Sequence, residues 1–302
     1  MKKSENAIYV INSIFEQHRL LSLPKPLHPL ISVFNFKDIK YNKDELLEKF
    51  TLNFYCVAIK KNFKGKLKYG QHYYDFDEGV MSFISPNQLL SSTTNEENPT
   101  DGMCLIFHPD FIANYPLGKF IKKYGFFSYS LNEALHLSEK EEASITTIFN
   151  NIQNEYTSSI DTYSQDVMIS QIELLMNYSN RFYNRQFITR KHANTDLLTK
   201  LESVLESHFE ENLELPTVKN IAKKLNISPN YLSDMLKSFT GQSAQQHIHN
   251  KLIEKAKETL TSTNLSVSEI AYQLGFEYPQ SFNKLFKNKT NFSPLEYRNS
   301  FN

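Results

Sequence analysis

Long apolar runs are missing from this chain. The longest, Phe54–Ile59, has six residues, whereas a membrane-spanning helix needs about 20. Near the N-terminus Asn6, Asn12 and Glu16 interrupt the apolar stretch behind Lys2 and Lys3, and no small-residue cleavage site follows, so no leader and no membrane partner are expected. Cysteine is scarce: Cys56 and Cys104 are the only two. Two cysteines this far apart in sequence suggest neither a metal-ligand spacing nor a disulfide framework, and they fit a reducing, cytoplasmic setting. Net charge is also absent, with 33 Lys and Arg against 33 Asp and Glu. Taken over the whole chain, that balance argues against a nucleic-acid partner. There is no Gly-x-Ser-x-Gly, no phosphate-cradling loop and no His pair of a metal hydrolase, so no catalytic set is recognisable and no cofactor is expected.

What is there is unevenly distributed. The 302 residues are 40% hydrophobic, enough for two domains with cores of their own. From Thr217 onward eleven basic residues face six acidic ones, a local surplus of five. Residues 29–109 hold short segments rich in β-branched and aromatic residues: 31–36, 54–59, 66–69, 71–76, 80–84 and 103–107. Glycines and Pro86 punctuate them, which suggests a small barrel or sandwich. Residues 138–187 read as two helices. Ser138–Glu141 is a capping box, followed by Ile145, Ile148, Phe149, Ile152 and Tyr156 at helical spacing. After the polar break Thr157–Thr162, a second stripe holds Met168, Ile172, Leu175 and Phe182. These helices can pack within one chain or pair with a second copy. Residues 188–196 are polar and lack periodicity, and are read as a linker between domains at 1–187 and 197–302.

The C-terminal domain contains an internal repeat. Thr217, Val218, Ile221, Ala222 and Leu225 match Ser266, Val267, Ile270, Ala271 and Leu274 at an offset of 49. Leu232, Leu236, Lys237, Thr240 and Ser243 match Phe282, Phe286, Lys287, Thr290 and Ser293 at an offset of 50. Apolar, capping and turn positions all correspond, as in a duplicated unit. Each copy reads helix–turn–helix. Thr217, Ser228, Ser243, Ser266 and Ser293 stand at N-cap positions. Asn226 and Gly275 stand where a left-handed residue ends the first helix. A candidate helix over 244–261, about 27 Å long, joins the copies, close to the ~34 Å of one DNA turn.

A second helix held rigidly by the first can enter the major groove. By spacing, its exposed residues are Asn230, Ser233 and Asp234 in the first copy and Gln280, Ser281, Asn283 and Lys284 in the second. Asn and Gln suit the adenine edge, and Asp accepts from cytosine. Neither face carries Arg, so Lys284 alone is placed to read guanine, and a lean toward A·T-rich sites is expected. Lys237, Lys287 and Lys289, with Ser228, are expected on phosphates.

Residues 265–298, LSVSEIAYQLGFEYPQSFNKLFKNKTNFSPLEYR, resemble the signature of the AraC/XylS-type transcriptional regulators. The resemblance is carried by Ile270-Ala271, Gly275-Phe276, Phe282, Phe286-Lys287 and Ser293–Arg298, and covers roughly 200–300. Asn226 stands where Gly is common in that family, and Pro279 stands within the second reading helix. The resemblance implies a two-unit domain on double-stranded DNA that contacts RNA polymerase near promoters. It also implies an N-terminal cupin-like β-barrel with flanking helices that binds a small-molecule effector or dimerises. The fold expected is therefore α+β in the N-terminal half and all-α in the C-terminal half. Tyr55, His72, Tyr73 and Tyr74 are the candidate pocket residues. A metal cupin wants a second His where Tyr74 stands; with only His72, Glu78 and His108 remaining, no metal is expected. Two other readings stay open: a DNA-binding regulator whose barrel only dimerises, and a cupin-type metal enzyme with a helical appendage.

Overall fold

The protein is described by a computed structural model covering residues 8–40, 49–61, 67–69, 72–74, 79–91, 101–130, 133–159, 161–211 and 214–300, with 67–69, 72–74, 91 and 191–193 as backbone only. Residues Met1–Gln186 and Phe187–Asn302 form two separate units.

In the first unit the chain runs β1 (Tyr9–Ile11), α1 (Ile14–Leu20), β2 (Ile31–Asn35), β3 (Lys49–Leu52), β4 (Tyr55–Lys61), β5 (Leu67–Tyr69), β6 (His72–Tyr74), β7 (Val80–Ile84), β8 (Leu90–Ser91) and β9 (Asp101–Phe107). Then come α2 (Pro109–Ile112), α3 (Pro116–Phe120), β10 (Leu135–His136), α4 (Glu139–Thr157) and α5 (Ser164–Thr189). The main sheet has the order β10-β7-β4-β9-β2, beside a three-stranded sheet β1-β3-β8 and the hairpin β5-β6. Among the described residues no ladder joins β10 to β2, so the sheet is open and the closed barrel expected from the sequence is not formed by these strands.

The longest apolar run is the central strand. β4 pairs with β7 on one side and β9 on the other, and residues 55–59 are all buried, as in a strand covered on both faces. On one face Tyr55 stacks on Phe107 at 5.1 Å and meets Phe127 edge-on. On the other, Cys56 and Ala58 join Ile11, Ile14, Leu52, Phe54 and Ile106. The two helical stripes are buried as their spacing predicted: Ile145, Ile148, Phe149, Ile152 and Tyr156 on α4, and Met168, Ile172, Leu175 and Phe182 on α5. Glu141 accepts the Ser138 N–H at 2.9 Å. It also pairs through both oxygens with Arg185, which donates to the His136 carbonyl, and so ties α4 to α5.

His18 is buried in this unit, between the Pro24 carbonyl at 2.5 Å and the Ser32 hydroxyl at 2.8 Å. The Pro24 oxygen can only accept, so Nδ1 carries the proton and Nε2 accepts from Ser32. Burial lowers its pKa below the ordinary histidine value. A depressed folded pKa gives stability that is complete above the unfolded pKa of about 6.5 and is lost as pH falls through the folded value. The apparent Tm of this unit is therefore expected to drop as pH is lowered from 7 toward 5, and His18→Gln should flatten that slope in calorimetric scans.

The second unit contains α6 (Lys191–Glu210), α7 (Val218–Lys224), α8 (Pro229–Thr240), α9 (Ala244–Ser262), α10 (Val267–Gln273), α11 (Pro279–Thr290) and α12 (Pro294–Asn299). The stretch 188–196, expected as a polar linker, is helical on both sides of Arg190, whose φ of −84° and ψ of 43° break α5 from α6. Asn194 is buried, and its side-chain amide donates to the Phe187 carbonyl. That carbonyl lies in the last turn of α5, where helix carbonyls call for partners from outside the helix. The polarity that suggested a hinge thus satisfies a helix end.

Arg298 braces the far side of this unit. Its guanidinium donates to the Leu260 carbonyl at 3.0 Å and the Leu265 carbonyl at 2.6 Å, clamping the end of α9 to the approach to α10. Charge-assisted bonds of this kind contribute ~1.5–3 kcal/mol each, so Arg298→Ala is expected to destabilise the unit by roughly 2–4 kcal/mol. Arg298→Lys, which cannot fork to both carbonyls, should recover less than half of the loss in urea unfolding.

Candidate nucleic-acid interface

The two copies share their local chemistry in detail. Thr217 caps α7 by accepting from Asn220 N, and Ser266 caps α10 by accepting from Glu269 N, each at 3.2 Å. At the other end Asn226 and Gly275 adopt φ of 56° and 86°. The following residue then bonds back, Ile227 N to Ala222 O at 3.1 Å and Phe276 N to Ala271 O at 3.0 Å. This is the six-to-one bond of a Schellman turn. Ala222 and Ala271 are fully buried, small where two helices cross closely.

The repeat extends past what spacing indicated. α8 and α11 both end on a left-handed residue, Gly241 at 78° and Asn291 at 63°. Thr240 and Thr290 hydroxyls donate to Leu236 O at 2.7 Å and Phe286 O at 2.8 Å, and accept from the second residue beyond, each at 3.2 Å. Ser243 with Gln246, and Ser293 with Glu296, then close capping boxes that start α9 and α12. The signal was present in the parallel strings Thr-Gly-Gln-Ser and Thr-Asn-Phe-Ser.

These devices fix how each second helix is rolled. Tyr231, Leu232, Met235 and Leu236 of α8, and Phe282 and Phe286 of α11, are buried. Gln280, Ser281, Asn283 and Lys284 are all exposed on α11, as is Asn230 on α8, while Ser233 and Asp234 are half-buried. Pro279 is the first residue of α11, where its missing N–H leaves no bond unmade. Lys237 and Lys287 are exposed in the last turns of their helices. Lys289 is held by Asn250 of α9 at 3.2 Å, and Asn250 in turn donates to Gln242 at 2.9 Å. This polar chain between α11 and α9 had no signal in residue spacing. Ser228 is corrected: it is buried, and its hydroxyl oxygen accepts from Tyr231 N at 3.2 Å. Its place is that of a helix cap, not of an exposed phosphate donor.

The basic surplus sorts itself. Lys251 pairs with Glu206 at 3.0 Å, Lys255 with Glu258 at 2.9 Å and Lys224 with Glu211 at 3.6 Å, while Arg298 is engaged with carbonyls. Among the described residues Lys237, Lys284 and Lys287 form no such pair. A recess along α6 and α9 is lined by Glu206, Glu210, Glu254 and Glu258 with Lys251, Lys255 and Phe209, a net negative surface that does not favour a polyanion. Lys219 and Lys223 of α7 and Lys257 of α9 also form no ion pair among the described residues, so the uncompensated cations are spread over α7, α9 and the two second helices.

The expected effector residues fall differently. Tyr55 lies inside the aromatic core described above, and burial raises its phenol pKa. The side chains of His72, Tyr73 and Tyr74, and residue Glu78, lie outside the described residues. His108 caps α2 by accepting from Asp110 N.

A family model described as a helix-turn-helix domain matches residues 221–300. The chain is 32% identical over 139 residues to the uncharacterized HTH-type transcriptional regulator YfiF of Bacillus subtilis (strain 168), covering 46% of this chain and 42% of that protein. It is 29% identical over 144 residues to the HTH-type transcriptional activator RhaS of Enterobacter sp. (strain 638), covering 48% and 49%. The match thus spans about half the length of these curated relatives. Among solved structures, the C-terminal domain of the two-component response regulator yesN from Fusobacterium nucleatum is 34% identical, covering 32% of this chain and 96% of that one, with a TM-score of 0.29. The helix-turn-helix match encloses the second copy and nearly all of the first, and together with these relatives it identifies this part of the chain: residues 221–300 form a helix-turn-helix domain of the AraC type.

Proposed function

We propose that this protein is a sequence-specific regulator of transcription that binds double-stranded DNA through α8 and α11, and whose activity is set by a small molecule in its first unit. One observation carries the DNA-binding reading: two helix–turn–helix units with the same caps and turns expose Asn230, Gln280, Ser281, Asn283 and Lys284. Gln280 and Asn283 suit adenine edges and Lys284 suits guanine. Lys237, Lys287 and Lys289 are assigned to phosphates. Contact with RNA polymerase is what the resemblance to the AraC/XylS-type regulators implies. Selection of bound sequences from a random pool tests the assignment, with A·T-rich half-sites the expected outcome and GG-rich ones the outcome that removes it. Lys287→Ala should weaken binding to all sequences alike and reduce the slope of log K against log salt by about one.

Control by an effector is assigned to the first unit, where the recess between β7, the 125–130 segment and α5, lined by Phe83, Phe126, Tyr129, Tyr183 and two serines, holds only about 10 Å³. That is room for one water at most, so a ligand pocket there requires the aromatic rings to part. An effector then acts by its preference for the opened state. Pairing of two copies along α5 is supported by Val167 and Leu174, exposed on the side of that helix away from its buried stripe, with exposed Tyr163 just before its start. Sedimentation of Val167→Glu and Leu174→Glu variants tests it, with monomers expected.

A further inference from the structure

Cys56 and Cys104 lie on neighbouring central strands of the main sheet. In the β4–β9 ladder Cys56 is opposite Ile106 and Cys104 is opposite Ala58, so the two cysteines are diagonal neighbours on one face. Both are free thiols, and their sulfurs are 3.4 Å apart. The next atoms around them are hydrocarbon, from Ile11, Leu52, Phe54 and Ile106 among others.

We infer that this pair is an oxidative modification site, closed to an intramolecular disulfide by a small peroxide and reopened by a dithiol reductant. The inference stands apart from the reading of DNA and would survive its failure. A disulfide has its sulfurs about 2.05 Å apart, so the two must approach by roughly 1.4 Å; diagonal cross-strand neighbours ordinarily have Cα atoms about 7–8 Å apart, so closure also needs β4 and β9 to move toward one another at this point. The chemistry balances as follows. One cysteine sulfur, as thiolate, attacks the peroxide, the O–O bond breaks, and a sulfenic acid and one water result. The second thiol displaces that hydroxyl as a second water, and the S–S bond forms. Two thiols are oxidised and one peroxide is reduced to two waters.

Access is the controlling step. The Cys56 sulfur alongside and burial together hold the Cys104 thiol well above the ordinary range, so little thiolate exists in the closed state and the reaction is slow. The cover over this face includes the sheet β1-β3-β8, whose strands have only three, four and two residues. Short ladders of this kind open far more often than a whole domain unfolds. Once made, the link ties together a long loop, which restricts the unfolded chain, and the unit should resist heating by several degrees more than its reduced form.

The experiment exposes the native full-length protein to hydrogen peroxide, removes the peroxide, unfolds the chain and counts thiols with a chromogenic reagent. Two are expected before treatment and none after, with a mass lower by two hydrogens, a peptide linking Cys56 to Cys104, and full recovery on reduction. Cys56→Ser should form no internal link and should show no rise in Tm on treatment. The inference is overturned if both thiols survive an exposure that oxidises the urea-unfolded chain. It is equally overturned if oxygen is added without a link, or if the only product is a dimer between chains.

Discussion

Replacing Gly275 by alanine is expected to unfold the second helix–turn–helix at temperatures the parent tolerates. Two independent effects add there. The residue has a φ of +86°, a left-handed backbone that costs an L-residue about 1–2 kcal/mol. The added Cβ would also sit 2.4 Å from Leu215 N and 2.8 Å from Glu214 C. Those are backbone atoms on the approach to α7, and they cannot rotate away as a side chain tip would. Overpacking of this kind costs about 1–3 kcal/mol, giving roughly 2–5 kcal/mol in all, or a fall in Tm on the order of 10–20 °C for a unit of this size. Gly241→Ala is the control. Gly241 also has positive φ, at 78°, but nothing lies within 4 Å of its added Cβ, so it should lose only the backbone part. Equal losses at the two positions, read from thermal unfolding by circular dichroism, would refute the close approach as the reason for glycine at 275. Asn226 fills the equivalent place in the first copy with φ of 56°, which asparagine tolerates.

Removing both exposed amides of α11, Gln280→Ala with Asn283→Ala, is expected to weaken discrimination strongly while leaving general DNA affinity intact. Neither residue is charged, so the number of phosphates neutralised is unchanged and the salt slope should hold. Each good bidentate contact to a base contributes about 1–3 kcal/mol of discrimination. The pair should therefore lower affinity for the selected site by roughly 30-fold to 20,000-fold, with little change on random duplex, as measured by competition titration. A parallel loss on random DNA would mean the two residues support the fold or the backbone contact instead. Lys284→Ala should both weaken the selected site and broaden the preference at its base pair.

How much of this was readable beforehand depended on how local the determinant was. The C-terminal unit is specified by caps, turns and apolar spacings that operate within five residues of one another. Thr217, Ser228, Ser243, Ser266 and Ser293 all cap as their positions indicated. Asn230, Gln280, Ser281, Asn283 and Lys284 lie on the exposed side for the same reason, whereas Ser233 and Asp234 are half-buried and Ser228 is buried. A serine that caps and a serine that meets a phosphate look alike until burial is known. In the first unit β1, β3, β8 and β10 have two to four residues each, too few for alternation to register, and they are held by partners distant in sequence. An open sheet and a closed barrel share the same strand pattern, so closure was not legible. The juxtaposition of Cys56 and Cys104 arises from ladder register alone and left no trace in their spacing. Within the polar stretch 188–196 the chain is helical on both sides of Arg190, and Asn194 is buried against the end of α5, a tertiary contact that polarity alone does not reveal.

α9 packs against helices of both reading units and runs 19 residues without a break, about 28 Å. An insertion of one residue at an exposed position such as Glu254 would advance one reader by ~1.5 Å and swing it by ~100° about the rod. Bridge length and operator spacing are therefore coupled in discrete steps: a drift of one nucleotide between the half-sites cannot be matched by stretching, only by a compensating change of rotation. The operators such a protein can follow in evolution form a ladder of separations, not a continuum.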